Sequence, residues 1–479
     1  MSKETGNKSP KPANGKDGID ASPAKAFFVW MITRDIELQD AILDLLDNCV
    51  DGIRRIGAKS GDKPYTGRYA HITFGQDQFC IEDNCGGIPI ATARDYAFRM
   101  GRPVDANVPP KGTIGVYGIG MKRAIFKMGQ HCVVHSHTNE KTFDVEIDKA
   151  WLKNDRKWRL RDKTAKPALE EYGTKITVTD LRPGIKEQFA KGSHFEKEVF
   201  PRAIQSAYSF LIAKGFEVKV NGVAIKADLP SLLWETPGPE KKTDSKIRPY
   251  IYQATIEGVN VFLAVGFWRP LSSEEDDPAD RRYASDKAGW TVVCNDRVVL
   301  SCDQTQATGW GRAGVPKYHT QFIAIAGYVE FYSDTHPERL PMTTTKRGVD
   351  LSSKTYEIVR ERMQEGMKYF TKFTNDWKGR EDEQKDMFRQ ARRLSLHQVS
   401  ENAQRHLKLS SVQGDSGQKH SIPPLPQRPR ETTEKRISFI RPVRHIKDVS
   451  LFLFDRDDAK PADVGAECFD RTLKQARTK

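Results

Sequence analysis

The segment ELQDAILDLLDNCVDGIRR runs from Glu37 to Arg55. Within it Asp44, Asn48 and Asp51 lie at i, i+4 and i+7, so two carboxylates and an amide share one side of a helix. A polar face turned to solvent is the ordinary explanation for such a line on an isolated helix. The apolar residues recur at helical spacing and predict an amphipathic helix with a buried face: Ile36, Ile42, Leu45, Leu46, Ile53 and Ile56.

Three glycine-bearing segments follow this helix and change its interpretation. A strand-like run leads into DNCGG (83–87), the segment GTIGVYGIGMK (112–122) enters a helix, and GT (173–174) opens a later strand. Glycines at such positions let backbone N–H groups approach a phosphate closely, and a following helix adds its positive N-terminal end. Each segment alone is weak evidence, because glycines after strands usually make turns. Their order within one domain favours a nucleotide pocket with the Asp44 side of the helix as one wall.

The four elements in this order resemble the GHKL ATPase superfamily, which includes DNA gyrase, heat-shock chaperones, MutL, MORC and histidine kinases. The resemblance covers residues 26 to 185 and implies ATP and Mg²⁺ as cofactors. Magnesium takes few protein oxygens, so the amide of Asn48 together with the phosphates suffices as its site. The carboxylate of Asp44, one turn earlier, is the expected general base for the attacking water. The other nucleotide-binding residues that the resemblance implies are Asp51, Asp83 at the adenine amino group, Gly87, Gly115, Gly118, Gly120 and Lys122 at the phosphates, and Thr174 at the adenine end.

Two positions depart from the family pattern. The general base of the family is usually Glu, whereas Asp44 is one methylene shorter, which favours slow turnover or turnover that needs a partner. Glu37 is almost two helical turns away and is a poor substitute. The first glycine box is usually DxGxG, and Cys85 replaces its first glycine while Gly87 is retained. Both departures bear on hydrolysis more than on nucleotide binding.

Two further segments resemble MutL and MORC in particular. The run VVCNDRVV (292–299) looks like the V-N-x-R-x-V strand of the MutL transducer domain, and TTTKRGVD (343–350) is similar to a segment whose lysine reaches the γ-phosphate. By that match Lys346 is a catalytic sensor lysine; the plain alternative is a loop lysine on a basic protein. Arg99 and Arg102 fall in the segment that forms the ATP lid in this superfamily. They are expected either to contact phosphate or to form salt bridges within the lid.

The composition narrows the class of protein. The 479 residues carry a net charge of +13, which favours polyanionic partners with nucleic acid first among them. No apolar run approaches the ~20 residues that span a bilayer, so no membrane association is expected. The seven cysteines are an odd number and form no CxxC pair, which predicts free thiols and a reducing, cytoplasmic location.

The predicted fold class is α+β. Its parts are a disordered leader (1–25), a two-layer GHKL (Bergerat-type) ATP-binding sandwich (26–190), a transducer-like α+β domain (195–352), a helical region (353–409), a linker (410–435) and a small C-terminal segment (436–479). The helix at 201–213 and the strand at 217–220 are expected to begin the second domain. A stripe from Ile358 to Trp377 predicts a docking or dimer face, and Val449 to Phe454 reads as a strand.

The function expected from the resemblance is a slow ATPase that acts as an ATP-dependent dimerising clamp of MutL or MORC type. Nucleic acid is the expected partner of the clamp, and an effector protein would supply any nuclease chemistry. Bacterial relatives of these families occur in defence against foreign DNA. Two alternatives stay open beside it: a heat-shock-type chaperone and an ATP-binding interaction module without turnover. A histidine kinase is disfavoured, because only a leader and an apolar strap at Ala26 to Met31 precede the ATP-binding helix.

Overall fold

The computed structural model describes residues 24–100, 118–235, 246–271, 278–412, 415–428 and 437–478. The chain divides into two compact units, Met1–Gln427 and Arg428–Lys479. The predicted α+β class is confirmed, since helices and two large sheets make up the first unit and helices the second.

The first part of the larger unit is a sheet with helices packed against it. Its elements are α1 (Lys25–Arg34), α2 (Leu38–Ile56), β1 (Tyr69–Phe74), β2 (Phe79–Asp83), α3 (Ile90–Thr92), a π-helical turn (Ala93–Ala97), α4 (Gly120–Met128), β3 (Gly129–His137), β4 (Thr142–Ile147), α5 (Lys149–Lys153), β5 (Asp162–Thr164), β6 (Gly173–Leu181), α6 (Pro183–Gln188), a second π-helical turn (Phe195–Val199), α7 (Phe200–Ala213), β7 (Glu217–Val220) and β8 (Val223–Ala224).

The strands of this sheet lie in the order β5-β4-β3-β6-β2-β1-β7-β8. Helix α2 forms because its apolar residues fall on one face, which is buried together with α4 and the sheet in one core. The start of β6 lies directly against the end of β2, where a Cβ at Gly173 would meet the Asp83 carbonyl oxygen at 1.8 Å. Only glycine fits there, and this contact brings the residue after it, Thr174, beside the Asp83 carboxylate.

Strand β7 pairs in parallel with β1 and therefore belongs to the first sheet. The prediction that this strand begins the second domain is wrong, because its partner is decided by a long-range pairing that the local sequence does not encode. The Asn221-Gly222 turn after it does lead into a hairpin, formed by β7 and β8.

The second part of the larger unit is built around another sheet. Its elements are β9 (Ser231–Trp234), β10 (Tyr250–Ile256), β11 (Val259–Phe267), α8 (Pro278–Lys287), β12 (Gly289–Cys294), β13 (Arg297–Asp303), 3₁₀ turns (Gln306–Thr308, Thr320–Phe322 and Pro337–Arg339), β14 (Ile325–Tyr332), α9 (Lys354–Asp376), α10 (Glu381–Phe388), β15 (Arg392–Ser395), α11 (Leu396–His406), β16 (Ser410–Val412) and β17 (Asp415–Ser421). The sheet order is β13-β12-β14-β11-β10-β17-β16, and β15 pairs separately with β9.

Two predictions for this part are wrong. The apolar stripe of α9 is not a free docking face, since Met363, Met367, Phe370, Phe373 and Trp377 are buried in the core of the second sheet. The predicted linker contributes structure as well, because residues 410–421 supply β16 and β17, and β17 pairs with the edge of β10. Backbone pairing to an available sheet edge outweighs the polar composition of that segment.

The second unit contains α12 (Val443–Phe454) and α13 (Pro461–Arg477). The prediction of a strand at Val449 to Phe454 is wrong, since these residues form the last turns of α12. By periodicity alone, a short apolar run fits a helix or a strand. Throughout the described ranges no helix is long and apolar enough to cross a bilayer. All seven cysteines are free thiols, and five of them are buried.

Candidate active site

A pocket opens beside the polar side of α2, at the end of β2, the start of β6 and the start of α4. Asn48 is exposed toward it, whereas the neighbouring Asp44 is buried. The predicted site residues that line the pocket are Asp44, Asn48, Asp51, Asp83, Gly87, Gly118, Gly120, Lys122, Thr174 and Lys346. The structure therefore brings together residues that are far apart in the chain. Gly115 and Arg102 lie outside the described residues, and Arg99 is exposed to solvent.

The Asp83 carboxylate forms one end of the pocket. Its Oδ1 accepts hydrogen bonds from the backbone N–H of Cys85 at 2.7 Å and of Thr174 at 3.3 Å, and its Oδ2 accepts one from the Cys49 thiol at 3.5 Å. Burial raises the pKa of Asp83 to about 6, although these bonds favour the charged form. Because the carboxylate is fixed by the backbone, it can present its remaining acceptor sites to an amino group at a defined position.

The glycine segment before α4 closes the pocket from the other side. Gly118 has a φ of +68°, which glycine adopts without strain. A Cβ at Gly120 would lie 3.0 Å from the Asp44 Cβ, so glycine allows the first turn of α4 to pack on this carboxylate. The Lys122 Nζ donates to the carbonyl oxygens of Ala97, at 2.8 Å, and Gly118, and burial lowers the pKa of Lys122 to about 8. The Lys122 ammonium thus links Ala97 to Gly118, and a phosphate would have to compete with these two carbonyl oxygens for it.

Two cations hold the Asp44 carboxylate. The Arg123 guanidinium donates to Oδ2 through Nε at 3.1 Å, and the Lys346 Nζ donates to Oδ1 at 3.2 Å. Arg123 comes from the first turns of α4, and Lys346 comes from the segment that precedes α9. The predicted base and the predicted sensor lysine are therefore in direct contact, and the base is charge-neutralised on both oxygens.

Asp47, which sequence reasoning missed, is the centre of a buried cluster. Its Oδ2 accepts from Lys346 Nζ at 2.6 Å, and its Oδ1 accepts from Arg297 Nε at 3.1 Å and from the Tyr208 hydroxyl. Burial by itself would raise the pKa of Asp47, but Lys346 and Arg297 hold it below its usual value. For the same reason the pKa of Lys346 is raised despite its burial. The cluster joins α2 to β13, in the second sheet.

Lys346 is held in an unusual backbone conformation. Its φ of +55° is left-handed, which costs free energy for a residue with a side chain. A turn bond from its N–H to the Thr343 carbonyl, at 2.9 Å, and its two carboxylate partners hold it there. The TTTKRGVD segment was the sequence feature that indicated Lys346. No local pattern indicated that Asp47 is its partner.

The hairpin between β12 and β13 makes a second connection to the first sheet. Asn295 and Asp296 both have positive φ, as a two-residue hairpin turn requires. The buried Asp296 carboxylate accepts from the Tyr65 hydroxyl at 2.7 Å and pairs with Lys214 and, at 3.7 Å, with Arg54. The residues of the VVCNDRVV segment thus anchor the second sheet to the end of α2.

The comparisons with known proteins agree with this pocket. The model of the histidine kinase-, DNA gyrase B-, and HSP90-like ATPase family matches residues 36–180, from the start of α2 to the end of β6. Residues 36–180 are a GHKL-type ATPase domain. The resemblance stated from the motifs is confirmed for this superfamily. A search of curated proteins finds no match to the chain.

A GHKL-type ATPase domain supports ATP binding, and the pocket beside α2 is the site in this domain that fits ATP. Asp83 and Thr174 lie together at one end of the pocket, and Gly118 and Gly120 lie on the side of Asp44. Within the described ranges no group of three or more His, Cys, Asp or Glu side chains is placed to hold a metal ion. A magnesium ion bound chiefly by phosphate oxygens needs no such group, and the exposed amide of Asn48 fits the one protein ligand it requires.

The pKa of Asp83 leads to a prediction about pH. The family resemblance implies that Asp83 accepts from the adenine amino group, and a protonated carboxyl oxygen cannot do so. ATP affinity is therefore expected to fall about tenfold per pH unit below pH 6 and to level off above it. Stability of the ATP-free protein changes in the opposite sense, since a raised carboxyl pKa makes this group's contribution decrease as pH rises from about 4 to about 6. Titration calorimetry from pH 5 to 8 measures the first effect. The Asp83→Asn variant is the control, because its weaker affinity should lack this pH dependence while the titration of ATP itself is unchanged.

Proposed function

We propose that this protein binds Mg–ATP in the pocket beside α2, hydrolyses it slowly, and uses the nucleotide state to control dimerisation in the manner of a MutL- or MORC-type clamp. The observation that carries the proposal is the contact of Lys346 with Asp44 and Asp47. It connects the segment before α9 directly to the helix that forms the ATP pocket. A change at the γ-phosphate end of the pocket would therefore alter contacts of both sheets.

The proposed role of Asp44 is that of the base that accepts a proton from the attacking water. Its carboxylate can do so only after Arg123 and Lys346 release at least one of its oxygens, because a doubly paired carboxylate is a weak base. The γ-phosphate is the natural competitor for these cations, since phosphate oxygens attract both guanidinium and ammonium groups. Nucleotide binding would therefore expose the base at the moment when substrate is present.

The proposed magnesium ligand is Asn48, whose amide oxygen faces the pocket one turn from Asp44. A bound magnesium ion neutralises charge on the β- and γ-phosphates as the transferred group departs. Asp83 and Thr174 would hold the adenine end, so that the triphosphate extends toward the N-terminus of α4. The backbone N–H groups of Gly118 and Gly120 would donate to the phosphates there.

The coupling to dimerisation would pass through the Asp47 cluster. Movement of Lys346 toward a γ-phosphate weakens its 2.6 Å bond to Asp47, and Asp47 also holds Arg297 of β13. The second sheet is then free to shift relative to α2, which is a two-state device biased by the nucleotide. We propose that the shifted state is the one that associates with a second copy. The seven free thiols support the cytoplasmic location that we also propose.

Nucleic acid is the proposed partner of the clamp, supported by the net charge of +13. An effector protein would have to supply any cleavage chemistry, and defence against foreign DNA is the biological setting that the MutL and MORC resemblance suggests. The proposed function is tested by solution mass measured by light scattering with and without a non-hydrolysable ATP analogue. A mass that stays that of one chain at saturating analogue would rule out the dimerising clamp and leave only the ATP site.

Lys346→Met is predicted to lower ATP hydrolysis about 10- to 100-fold and to prevent analogue-induced dimerisation, because a charge-assisted bond to the γ-phosphate is lost. ATP affinity should change much less, since the adenine end is untouched. Phosphate release and light scattering measure the two effects. Lys354→Met is the matched control, because its side chain is 73% exposed and lies on the surface start of α9. Equal behaviour of the two variants would show that Lys346 is a structural residue.

An ATP-binding module without turnover is the second candidate, and one observation favours it. Both oxygens of Asp44 are engaged by cations in this structure, so the base is not free. The two candidates differ in phosphate release: the module predicts wild-type release at the background level of an Asp44→Asn variant, with ATP binding intact.

A further inference from the structure

A second groove lies on the ATPase domain and shares no lining residue with the ATP pocket. It measures about 730 Å³ and runs between α1, α5, the end of α4 and the start of α6. Four cationic side chains line it, against one carboxylate, Asp155: Lys127, Lys149, Lys153 and Arg182. The ATP mechanism uses none of them. Lys149 pairs with Asp180 at 3.2 Å, and Lys127 and Arg182 each donate to a backbone carbonyl oxygen, so among the described residues Lys153 is the groove cation without such a partner.

The segment that supplies Lys149, Lys153 and Asp155 to this groove is strongly basic. Residues 149–166, KAWLKNDRKWRLRDKTAK, carry eight lysines and arginines and two aspartates. Lys153, Arg156, Arg159 and Arg161 are exposed, and no described carboxylate lies within ion-pair distance of them. Charges that are exposed and not paired within the chain remain available to an external anion.

Exposed aromatic rings lie beside these cations. Trp30 lines the groove and is 52% exposed, Phe27 on the same helix is 57% exposed, and Trp158 in the basic segment is 38% exposed. Single exposed rings are ordinary on a protein surface, so the informative feature here is that Trp30 lies in a groove together with cations. The flat face of its ring can stack on a planar group.

A buried lysine fastens the aromatic helix to the basic segment. The Lys25 Nζ donates to the carbonyl oxygens of Trp151, Asn154 and Lys157 at 2.8, 2.6 and 2.6 Å, and it lies 3.8 Å from the centre of the Trp151 ring. Lys25 is 1% exposed. Lys25 therefore fixes α1 to residues 151–157. We call the cations and the ring of the groove and of the adjoining basic segment the basic–aromatic surface: Trp30, Lys127, Lys149, Lys153, Arg156 and Arg159.

We propose that the basic–aromatic surface binds single-stranded nucleic acid. Phosphates would follow the cations of the groove and of the adjoining basic segment, and an unstacked base would stack on Trp30, which is how sequence-tolerant single-strand sites combine charge and aromatic rings. A duplex keeps its bases stacked and offers no free base to this ring. A flat lipid surface does not enter a groove, so the groove favours a polyanionic chain over a membrane. This inference deepens the nucleic-acid part of the proposed function and does not depend on ATP binding.

The test is fluorescence anisotropy of labelled oligothymidine at several salt concentrations, without nucleotide. The triple variant Lys153→Glu, Arg156→Glu, Arg159→Glu is expected to bind at least about tenfold more weakly, and the slope of log affinity against log salt should fall by about two. The matched control is Lys354→Glu, Lys372→Glu, Arg389→Glu, which changes the net charge equally at side chains that are 73%, 78% and 83% exposed in the second part of the unit. The control should stay within about twofold of the wild-type protein.

Trp30→Ala separates stacking from charge. Its affinity is expected to fall about tenfold with an unchanged salt slope, because no cation is removed. Tyr283→Ala, at a ring that is 60% exposed elsewhere, is the control and should bind like the wild-type protein. If the triple variant fails to fold, judged by lost ATP binding and circular dichroism, the Trp30 pair still decides the question.

Three results would overturn the proposal. The first is an equal loss in the triple variant and its charge-matched control, which would mean that only net charge matters. The second is wild-type binding to phosphatidylserine vesicles but not to oligothymidine at low salt, which would assign the surface to lipid headgroups. The third is a Trp30→Ala affinity equal to that of the wild-type protein. Because no nucleotide is present, each result is independent of whether the ATP site functions as proposed.

Discussion

Replacing Asp44 by asparagine is expected to reduce ATP hydrolysis by a factor of about 100 to 10,000, the usual worth of a positioned general base. Asparagine has nearly the same shape and can still accept a hydrogen bond from Arg123, but its amide does not take a proton from water. ATP affinity should change by only a few-fold, because Asp83 and the glycine segment are intact. Phosphate release under single-turnover conditions measures the chemical step, and titration calorimetry measures binding.

The matched control for this variant is Asp62→Asn, at a side chain that is 84% exposed in the loop after α2. Its hydrolysis rate should equal that of the wild-type protein. If Asp44→Asn also hydrolyses ATP at the wild-type rate, Asp44 is not the base and its contacts with Arg123 and Lys346 are structural. An Asp44→Glu variant adds a second measurement: restoring the longer side chain usual in the family should leave the rate equal or faster if reach limits turnover.

The elements that could be predicted from sequence are those with a strong local signal. Helix α2 was predicted at 37–55 and lies at Leu38–Ile56, because its polar and apolar faces are separated at the helical period. The strand-like run expected before DNCGG is likewise present, as β2 (Phe79–Asp83). The pattern of such an element is complete within one segment, so the element can be predicted without knowing what it packs against.

The elements that were predicted wrongly depend on distant partners. Strand β17, with the sequence DSGQKHS, has no apolar alternation and exists because β10 offers it an edge. The stripe of α9 is correctly helical, but whether it meets a second chain or its own sheet depends on the tertiary fold. In each case the local sequence allows two outcomes, and burial of apolar area or completion of a sheet selects one.

The candidate site divides in the same way. The positions of Asp83, Gly120 and Thr174 follow from ordered motifs, since glycine is required where chains approach closely and the carboxylate stands at a strand end. Arg123 and Arg297 could not be predicted as partners of the α2 carboxylates, because each contact joins segments that only the folded chain brings together. The ordered motifs therefore predicted residues that line one pocket, while the ionic contacts that surround them became visible only in three dimensions.

Asp47→Asn is expected to destabilise the protein by about 3–5 kcal/mol, because it leaves the buried Arg297 without its charged partner and removes the shortest bond of Lys346. Urea unfolding measures the effect, with Asp62→Asn as the exposed control that should lie within about 0.5 kcal/mol of the wild-type protein. The double variant Asp47→Asn, Arg297→Met should be less destabilised than the sum of the two single variants, since removing both charges leaves none unpaired. Strict additivity, or a loss below about 1 kcal/mol for Asp47→Asn, would contradict a coupled cluster. The same coupling supports the role proposed for Asp47. A contact that contributes this much free energy is strong enough to shift the second sheet relative to α2 when Lys346 moves from Asp47 to a γ-phosphate.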